Sequence, residues 1–364
     1  MIKVYDFNNN LLSIKNGSYG GQAGGKDGIL IDNEEWMLKY PKNLSRMAGE
    51  NASYSTAPLS EYIGSHIYEI LGYNVHETLL GEKNDKLVVA CRDFATDKML
   101  LEIRTLKNHM SKELAELLEG SPVSSTESHV VDFKELLIHL DMNPLLSVVE
   151  GIKERFFEQS IVDVLINNND RNNGNWGILR EKGKPDTFAP VFDNGSSFLS
   201  KISEDKIGRL LKSEELTNNA TNVLTAYGEE GHLYSAKRYF QAAIDIPEFQ
   251  EAVKKVVPLI KSKLPEIEKM LDEIPAKHLT ASGKEIEVMS DERKYLYKKQ
   301  MEIRIEKLLQ PLLEQVIDLQ IKRIESEVVL DASLKEQLEC CKQISCLKNL
   351  KHTEKNKNTP QQER

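Results

Sequence analysis

The chain of 364 residues carries 57 Asp and Glu against 48 Lys and Arg, a formal net charge of -9. That balance argues against a reader of nucleic-acid backbones, which shows a basic face. No stretch approaches the ~18 apolar residues needed to span a bilayer, and Met1 to Phe7 has neither an apolar signal core nor a small-residue cleavage site. Cys91 and the crowded Cys340, Cys341 and Cys346 form no spaced disulfide framework. A reduced, cytoplasmic setting is expected, without nucleic acid and without integral membrane association.

Taken in chain order, residues 1–95 read as strands and hairpins around one helix. Gly28 to Tyr40 alternates, with Ile29, Ile31, Trp36, Leu38 and Tyr40 on the inward face and Asp32 to Glu35 as the polar turn. After Pro58, the positions Leu59, Tyr62, Ile63, His66, Ile67, Ile70 and Leu71 fall at helical spacing, and Gly72 ends the helix. A second hairpin runs from Val75 to Cys91, turning at Glu82 to Asp85.

From about residue 98 the pattern turns helical. Segments around 114–118, 133–140, 151–166, 206–227, 234–243, 247–272 and 288–330 are expected to be helices, with a polar loop at 120–125. Residues 331–364 form a helical or disordered tail, in which Leu334, Leu338, Ile344 and Leu347 have the spacing of a docking helix. Cys340, Cys341, Cys346 and His352 lack the paired spacing of a zinc site. An α+β fold follows, with a β-rich N-lobe (1–95), a mainly helical C-lobe (96–330) and the tail.

The chemistry concentrates in two segments. Asp170-Arg171-Asn172-Asn173-Gly174-Asn175 follows an apolar helix and precedes a short apolar strand; Asp193-Asn194-Gly195 follows Ala189-Pro190-Val191-Phe192. Phosphoryl transfer requires a carboxylate to orient and deprotonate the acceptor, hard oxygen ligands for Mg²⁺, and cations on the phosphates. Asp170 suits the base, while Asn175 and Asp193 suit the metal. Turn-forming Asn, Asp and Gly explain either segment alone, but less readily both in this order. Upstream lie a glycine-rich turn (Gly17, Ser18, Tyr19, Gly20, Gly21 through Gly25), Lys39 on a strand, and Glu61 near the start of a helix. Such a turn lets backbone amides approach phosphates. Glu61 is placed to pair with Lys39, or to favour its helix dipole as an N-terminal acid.

With these motifs in place, the sequence resembles the HipA-like serine/threonine kinases, and most resembles their compact bacterial CtkA branch. Glu77 to Gly81, Leu87 to Phe94, Asp170 to Gly177 and Ala189 to Asp193 carry the likeness, which spans roughly residues 10–320. The resemblance implies a bilobal protein-kinase-like fold and an ATP- and Mg²⁺-dependent serine/threonine kinase. It implies Asp170 as catalytic base with Lys39 and Glu61 as the supporting pair, and Asn175 and Asp193 as metal ligands. Asn172 joins the nucleotide-binding set, and Val89, Ala90, Cys91 and Arg92 are the hinge that meets adenine. It further implies autophosphorylation in the glycine-rich loop, where Ser18 is the matching hydroxyl and Ser13 lies nearby, and an antitoxin or host-cell protein as partner. The loop departs from the HRD pattern, with Asn169 directly before the base, and no APE-like segment follows Asp193.

Two other functions fit the same residues. A lipid kinase of the phosphatidylinositol type or a small-molecule kinase shares the Asp…Asn…Asp logic, although Asn172 stands where the lipid kinases carry His. A non-catalytic nucleotide-binding module would need no base. The protein acceptor itself is not named by any motif.

Overall fold

The computed structural model describes residues 1–17, 25–45, 52–118, 130–328, 341–349 and 351. Strand β1 (Tyr5–Asp6) is followed by the hairpin of β2 (Lys26–Ile31) and β3 (Glu34–Lys39), helix α1 (Ala57–Ile70), and the hairpin of β4 (Thr78–Lys83) and β5 (Lys86–Arg92). Together the strands make one five-stranded sheet in the order β1-β4-β5-β3-β2, antiparallel except for β1 against β4. Both hairpins turn on two residues with positive φ, Asp32 (51°) with Asn33 (64°) and Asn84 (50°) with Asp85 (57°). That backbone matches strand twist, and Asn and Asp tolerate it best after Gly. The turns are therefore two residues long, and the strands run further into the polar tips than hydrophobicity alone indicates.

Alternation along β5 divides the apolar residues between two faces. Val88 and Ala90 pack with Phe7, Ile29, Trp36 and Leu38 on one side. Val89 and Cys91 join Leu59, Ile63 and Ile67 of α1 in the main core on the other. Of the inward positions expected in the first hairpin, Ile31 and Tyr40 are only half-buried. Helix α1 starts with Pro58 in its first turn and stops at Gly72, whose φ of 81° no helix continues.

The remaining elements are β6 (Met99–Glu102), α2 (Ile103–Leu106), α3 (Lys112–Leu117), β7 (Val131–Asp132), α4 (Phe133–Met142), α5 (Ile152–Ile166), β8 (Gly177–Arg180), β9 (Thr187–Phe188), α6 (Glu204–Leu211), α7 (Leu216–Thr221), β10 (Leu224–Glu229), β11 (His232–Ser235), α8 (Ala236–Ala243), α9 (Pro247–Glu273), β12 (Lys277–Leu279), β13 (Glu285–Glu287), α10 (Asp291–Arg304) and α11 (Gln310–Val328), with a π-helical turn (Ile305–Leu309) between the last two. Helix α5 is buried along nearly its whole length and packs on α9. Among the described residues no helix is long and apolar enough to cross a membrane.

Three sequence expectations change here. The helix read at 206–227 breaks after Leu211, and Leu224–Glu229 is strand β10, which pairs with β7 and β11. Its Thr and Tyr favour a strand with two partners. The helix read from 234 begins at Ala236, because Ser235 ends β11 and caps α8 by accepting from Arg238 N. The helix read at 288–330 begins at Asp291, capped by Ser290. In the tail, residues 341–349 are helical, and Ile344 and Leu347 pack on the main core. Lys351 pairs with Asp318 at 2.6 Å. Leu334, Leu338, Cys340 and His352, and the loop read at 120–125, lie outside the described residues.

Candidate active site

Helix α5 delivers the first segment. It ends at Asn167, whose φ of 55° turns the chain out of the helix, and Asn168 N donates back to Asp163 O at 2.8 Å. Asp170 then lies half-buried with its carboxylate held from two sides. Asn172 Nδ2 donates to Oδ1 at 2.9 Å, and Ser196 Oγ to Oδ2 at 3.4 Å. Burial raises the Asp170 carboxyl above its ordinary range; the Asn172 hydrogen bond opposes this, and the nearby Asp193 charge adds to it. Asn175 Nδ2 donates to Asp170 O at 2.6 Å, so the amide nitrogen is fixed inward and the amide oxygen is turned the other way. Asn172 uses both ends of its amide within the loop, its Oδ1 accepting from Gly174 N at 2.9 Å. The loop thus employs Asn172 to hold the base.

The second segment is extended at residues 189–192, not a full strand: Val191 makes a single parallel bridge to Val75. Asp193 follows with a φ of 59°, uncommon for a residue other than Gly. Both segments are tied together by Arg171, which is 1% exposed. All five of its N–H groups are placed. Nε and Nη2 donate to Asp163 Oδ2 and Oδ1 at 2.9 and 3.1 Å, and Nη2 also to Asn194 Oδ1 at 2.6 Å. Nη1 donates to Asn175 O at 2.9 Å and to Phe192 O. One guanidinium therefore fixes the residues that bear Asn175 and Asp193 against the same helix.

From the sheet, Lys39 Nζ reaches Glu61 Oε2 at 2.8 Å and Asp193 Oδ1 at 2.9 Å. Burial disfavours the Lys39 charge, but Asp193 and Glu61 more than offset it and hold its pKa well above the usual value. Burial likewise disfavours the Glu61 carboxylate; Lys39 and then His76 outweigh it and depress its pKa. Glu61 is fully buried and sits past the first turn of α1, which excludes the reading of an N-terminal acid favoured only by the dipole.

Lys39, Glu61, Asp193, Asp170 and Asn175 thus converge. Val89, Ala90 and Cys91 do not form a connection. They are ladder residues of β5 between β3 and β4, so their backbone groups are already engaged, and burial pushes the Cys91 thiol pKa up. The chain leaves the sheet at Arg92, which pairs with Glu34 and Glu77, and Asp93, whose N–H donates to Glu35 O at 2.9 Å. Phe94 then packs against Phe192 at 5.6 Å, directly beside Asp193. Gly17 is described; Ser18, Tyr19, Gly20 and Gly21 lie outside the described residues. Ser13 is buried, and its hydroxyl donates to Glu35.

Sequence reasoning assigned nothing to Arg171, Asp163, His76, Asn194 or Ser196. The one available signal was Asp163, a carboxylate inside the apolar run Ile161 to Ile166, which requires a buried partner. Nothing local marks His76.

The donor set suits Mg²⁺. It offers one carboxylate and one amide oxygen, both hard, and Mg²⁺ ordinarily completes such a set with phosphate oxygens and water. Glu61, His76 and Cys91 also bring donor atoms within 4.8 Å of one another, but the Glu61 oxygens are taken by Lys39, His76 and Asn194 N.

No family model matches the chain. Over 202 residues, 55% of this chain, it is 33% identical to the serine/threonine-protein kinase CtkA of Helicobacter pylori strain J99, and the match spans 58% of that relative's length. The crystal structure of a Helicobacter pylori proinflammatory kinase CtkA superposes with a TM-score of 0.71 at 25% identity, covering 87% of this chain and all of that one. A chain from the complex of the Shewanella oneidensis MR-1 toxin–antitoxin system HipA, HipB and its operator DNA superposes with a TM-score of 0.46 at 12% identity, covering 80% of this chain and 67% of that one. By sequence over the matched stretch and by fold over most of its length, the chain is similar to the CtkA kinases of Helicobacter pylori, while the curated relative is matched over little more than half of its own length.

Proposed function

We propose that the chain is an ATP- and Mg²⁺-dependent protein kinase that transfers the γ-phosphate to serine or threonine hydroxyls, its own included. The observation that carries this reading is Lys39, clamped between Glu61 and Asp193, above a loop that holds a carboxylate of raised pKa. An ammonium has three N–H donors; two face these carboxylates, and the third suits a phosphate oxygen. A module that only binds nucleotide has no use for Asp170.

Asn175 Oδ1 and Asp193 would hold Mg²⁺, which supplies charge neutralisation on the phosphates. The chain's own residues do the rest. Asp170 accepts the acceptor's hydroxyl proton as the oxygen–phosphorus bond forms and the bond from phosphorus to the ADP oxygen breaks. That Ser196 already donates to Asp170 supports the reading, since a hydroxyl can reach the base there. Phe94 and the segment after it, rather than Val89 to Cys91, are suited to flank adenine.

Labelled ATP with Mg²⁺ tests the reading, first with the chain alone, then with a basic protein, then with phosphatidylinositol vesicles. Label on the chain or the protein is expected; label on lipid alone overturns the acceptor class. Asp170→Asn is expected to lower transfer by roughly a hundredfold or more while Mg-ATP binding stays within about tenfold, because a general base acts on the transfer step.

A further inference from the structure

Glu61 is held by more than its ion pair. Oε2 meets Lys39, and Oε1 meets His76 Nε2 at 3.0 Å and the backbone N–H of Asn194 at 3.0 Å. His76 Nε2 also lies 3.0 Å from Ser65 Oγ, one turn further along α1. Ser65 Oγ accepts from Asn194 Nδ2 at 3.1 Å, and Asn194 Oδ1 accepts from Arg171 at 2.6 Å. None of Glu61, Ser65, His76, Arg171 and Asn194 is more than 4% exposed. His76 is itself anchored, its backbone N–H donating to Val191 O at 3.0 Å, two residues before Asp193. Facing two oxygens at hydrogen-bond distance, one of them a carboxylate, Nε2 is the nitrogen that carries the proton.

We propose that His76 is a positioning residue for phosphate transfer: it fixes the second oxygen of Glu61, so that the carboxylate cannot rotate away from Lys39. Through Ser65 and Asn194 it also joins α1 to the loop that carries Asp170, so the ion pair and the catalytic loop form as one unit. The proposal rests on the kinase reading above, and the test separates the two.

The test compares wild type with His76→Leu, His76→Gln and His76→Asn in the full chain. It measures the Mg-ATP dissociation constant by calorimetry, KM for ATP and kcat, with folding checked by circular dichroism. Loss of a buried hydrogen bond to a charged group predicts that His76→Leu weakens Mg-ATP binding and raises KM by roughly tenfold or more. Gln keeps an N–H within reach of Glu61 and is expected to stay within about threefold of wild type, whereas the shorter Asn should behave like Leu. Wild-type constants in a folded Leu variant, or Gln as impaired as Asn, overturn the proposal. If Leu fails to fold, the Gln and Asn pair decides alone. A wild-type chain that binds Mg-ATP but transfers no phosphate sinks the kinase reading, while the order of the dissociation constants still decides for or against His76.

Discussion

Asp170 and Arg171 are neighbours in sequence with opposite energetic roles. Arg171 is a buried cation whose five N–H groups all have acceptors and whose charge is met by Asp163, the condition under which a buried charge is tolerated. Among the described residues Asp170 pairs with no cation: burial holds its pKa up and Asp193 adds to this, outweighing the Asn172 hydrogen bond and the weaker pull of Arg171. The sign of the linkage follows. A carboxyl whose folded pKa is raised binds its proton more tightly in the folded state, so stability falls as pH rises through the folded pKa and stays low above it. At neutral pH the ionised Asp170 therefore opposes folding, and Asp170→Asn, which keeps one oxygen for Asn172 and presents its NH2 to Ser196, whose hydroxyl can turn to accept, is expected to raise Tm while it lowers transfer. Calorimetric melts at pH 7.5 without nucleotide or metal check this; a lower Tm than wild type contradicts it. Activity should fall on the acid side at a pH above the ordinary carboxylate range.

Between elements, the fit of α1 against the loop that carries Asp193 depends on a missing side chain. A Cβ on Gly64 would lie 2.7 Å from Asn194 Cβ, where neither atom can swing aside. In a helix, Gly to Ala ordinarily gains about 1 kcal/mol, and Gly208 in α6, with nothing within 4 Å, should show that gain. Gly64→Ala should instead lower Tm and raise KM for ATP, because Asn194 carries both a Glu61 contact and an Arg171 contact. Melting curves for the two variants, read side by side, decide whether the close approach outweighs helix propensity. Arg304 acts at the same scale. It is fully buried, burial pulls its pKa down to about 9, and it donates to Leu165 O and Ala220 O. Those carbonyls belong to the last turns of α5 and α7, where positive charge is favoured.

Across the whole molecule, what was legible in the sequence is what is local. Asp170, Asn175 and Asp193 sit in short polar loops between apolar segments, and Lys39 and Glu61 follow from strand and helix periodicity. The partners that aim them are distant. Arg171 meets Phe192, and His76 meets Glu61, only after the chain has folded, so neither pattern nor composition could pair them. The same limit explains Val89 to Cys91: an apolar run fits a connection or a central strand, and only the pairing of β5 with both β3 and β4 decides. The sheet is also braced from behind by a hairpin that no motif announced. Asp85, at the β4–β5 turn, accepts from Thr280 Oγ1 at 2.8 Å and Ser282 Oγ at 2.7 Å, and Glu82 accepts from Ala281 N at 3.1 Å. These bonds join the sheet that bears Lys39 to the β12–β13 hairpin between α9 and α10. Asp85→Ala removes both hydroxyl contacts and should speed amide hydrogen exchange in β4, β5 and the β12–β13 hairpin together. Exchange that changes in the β4–β5 turn alone would show that the hairpin does not brace the sheet, since elements coupled through shared hydrogen bonds open as one unit.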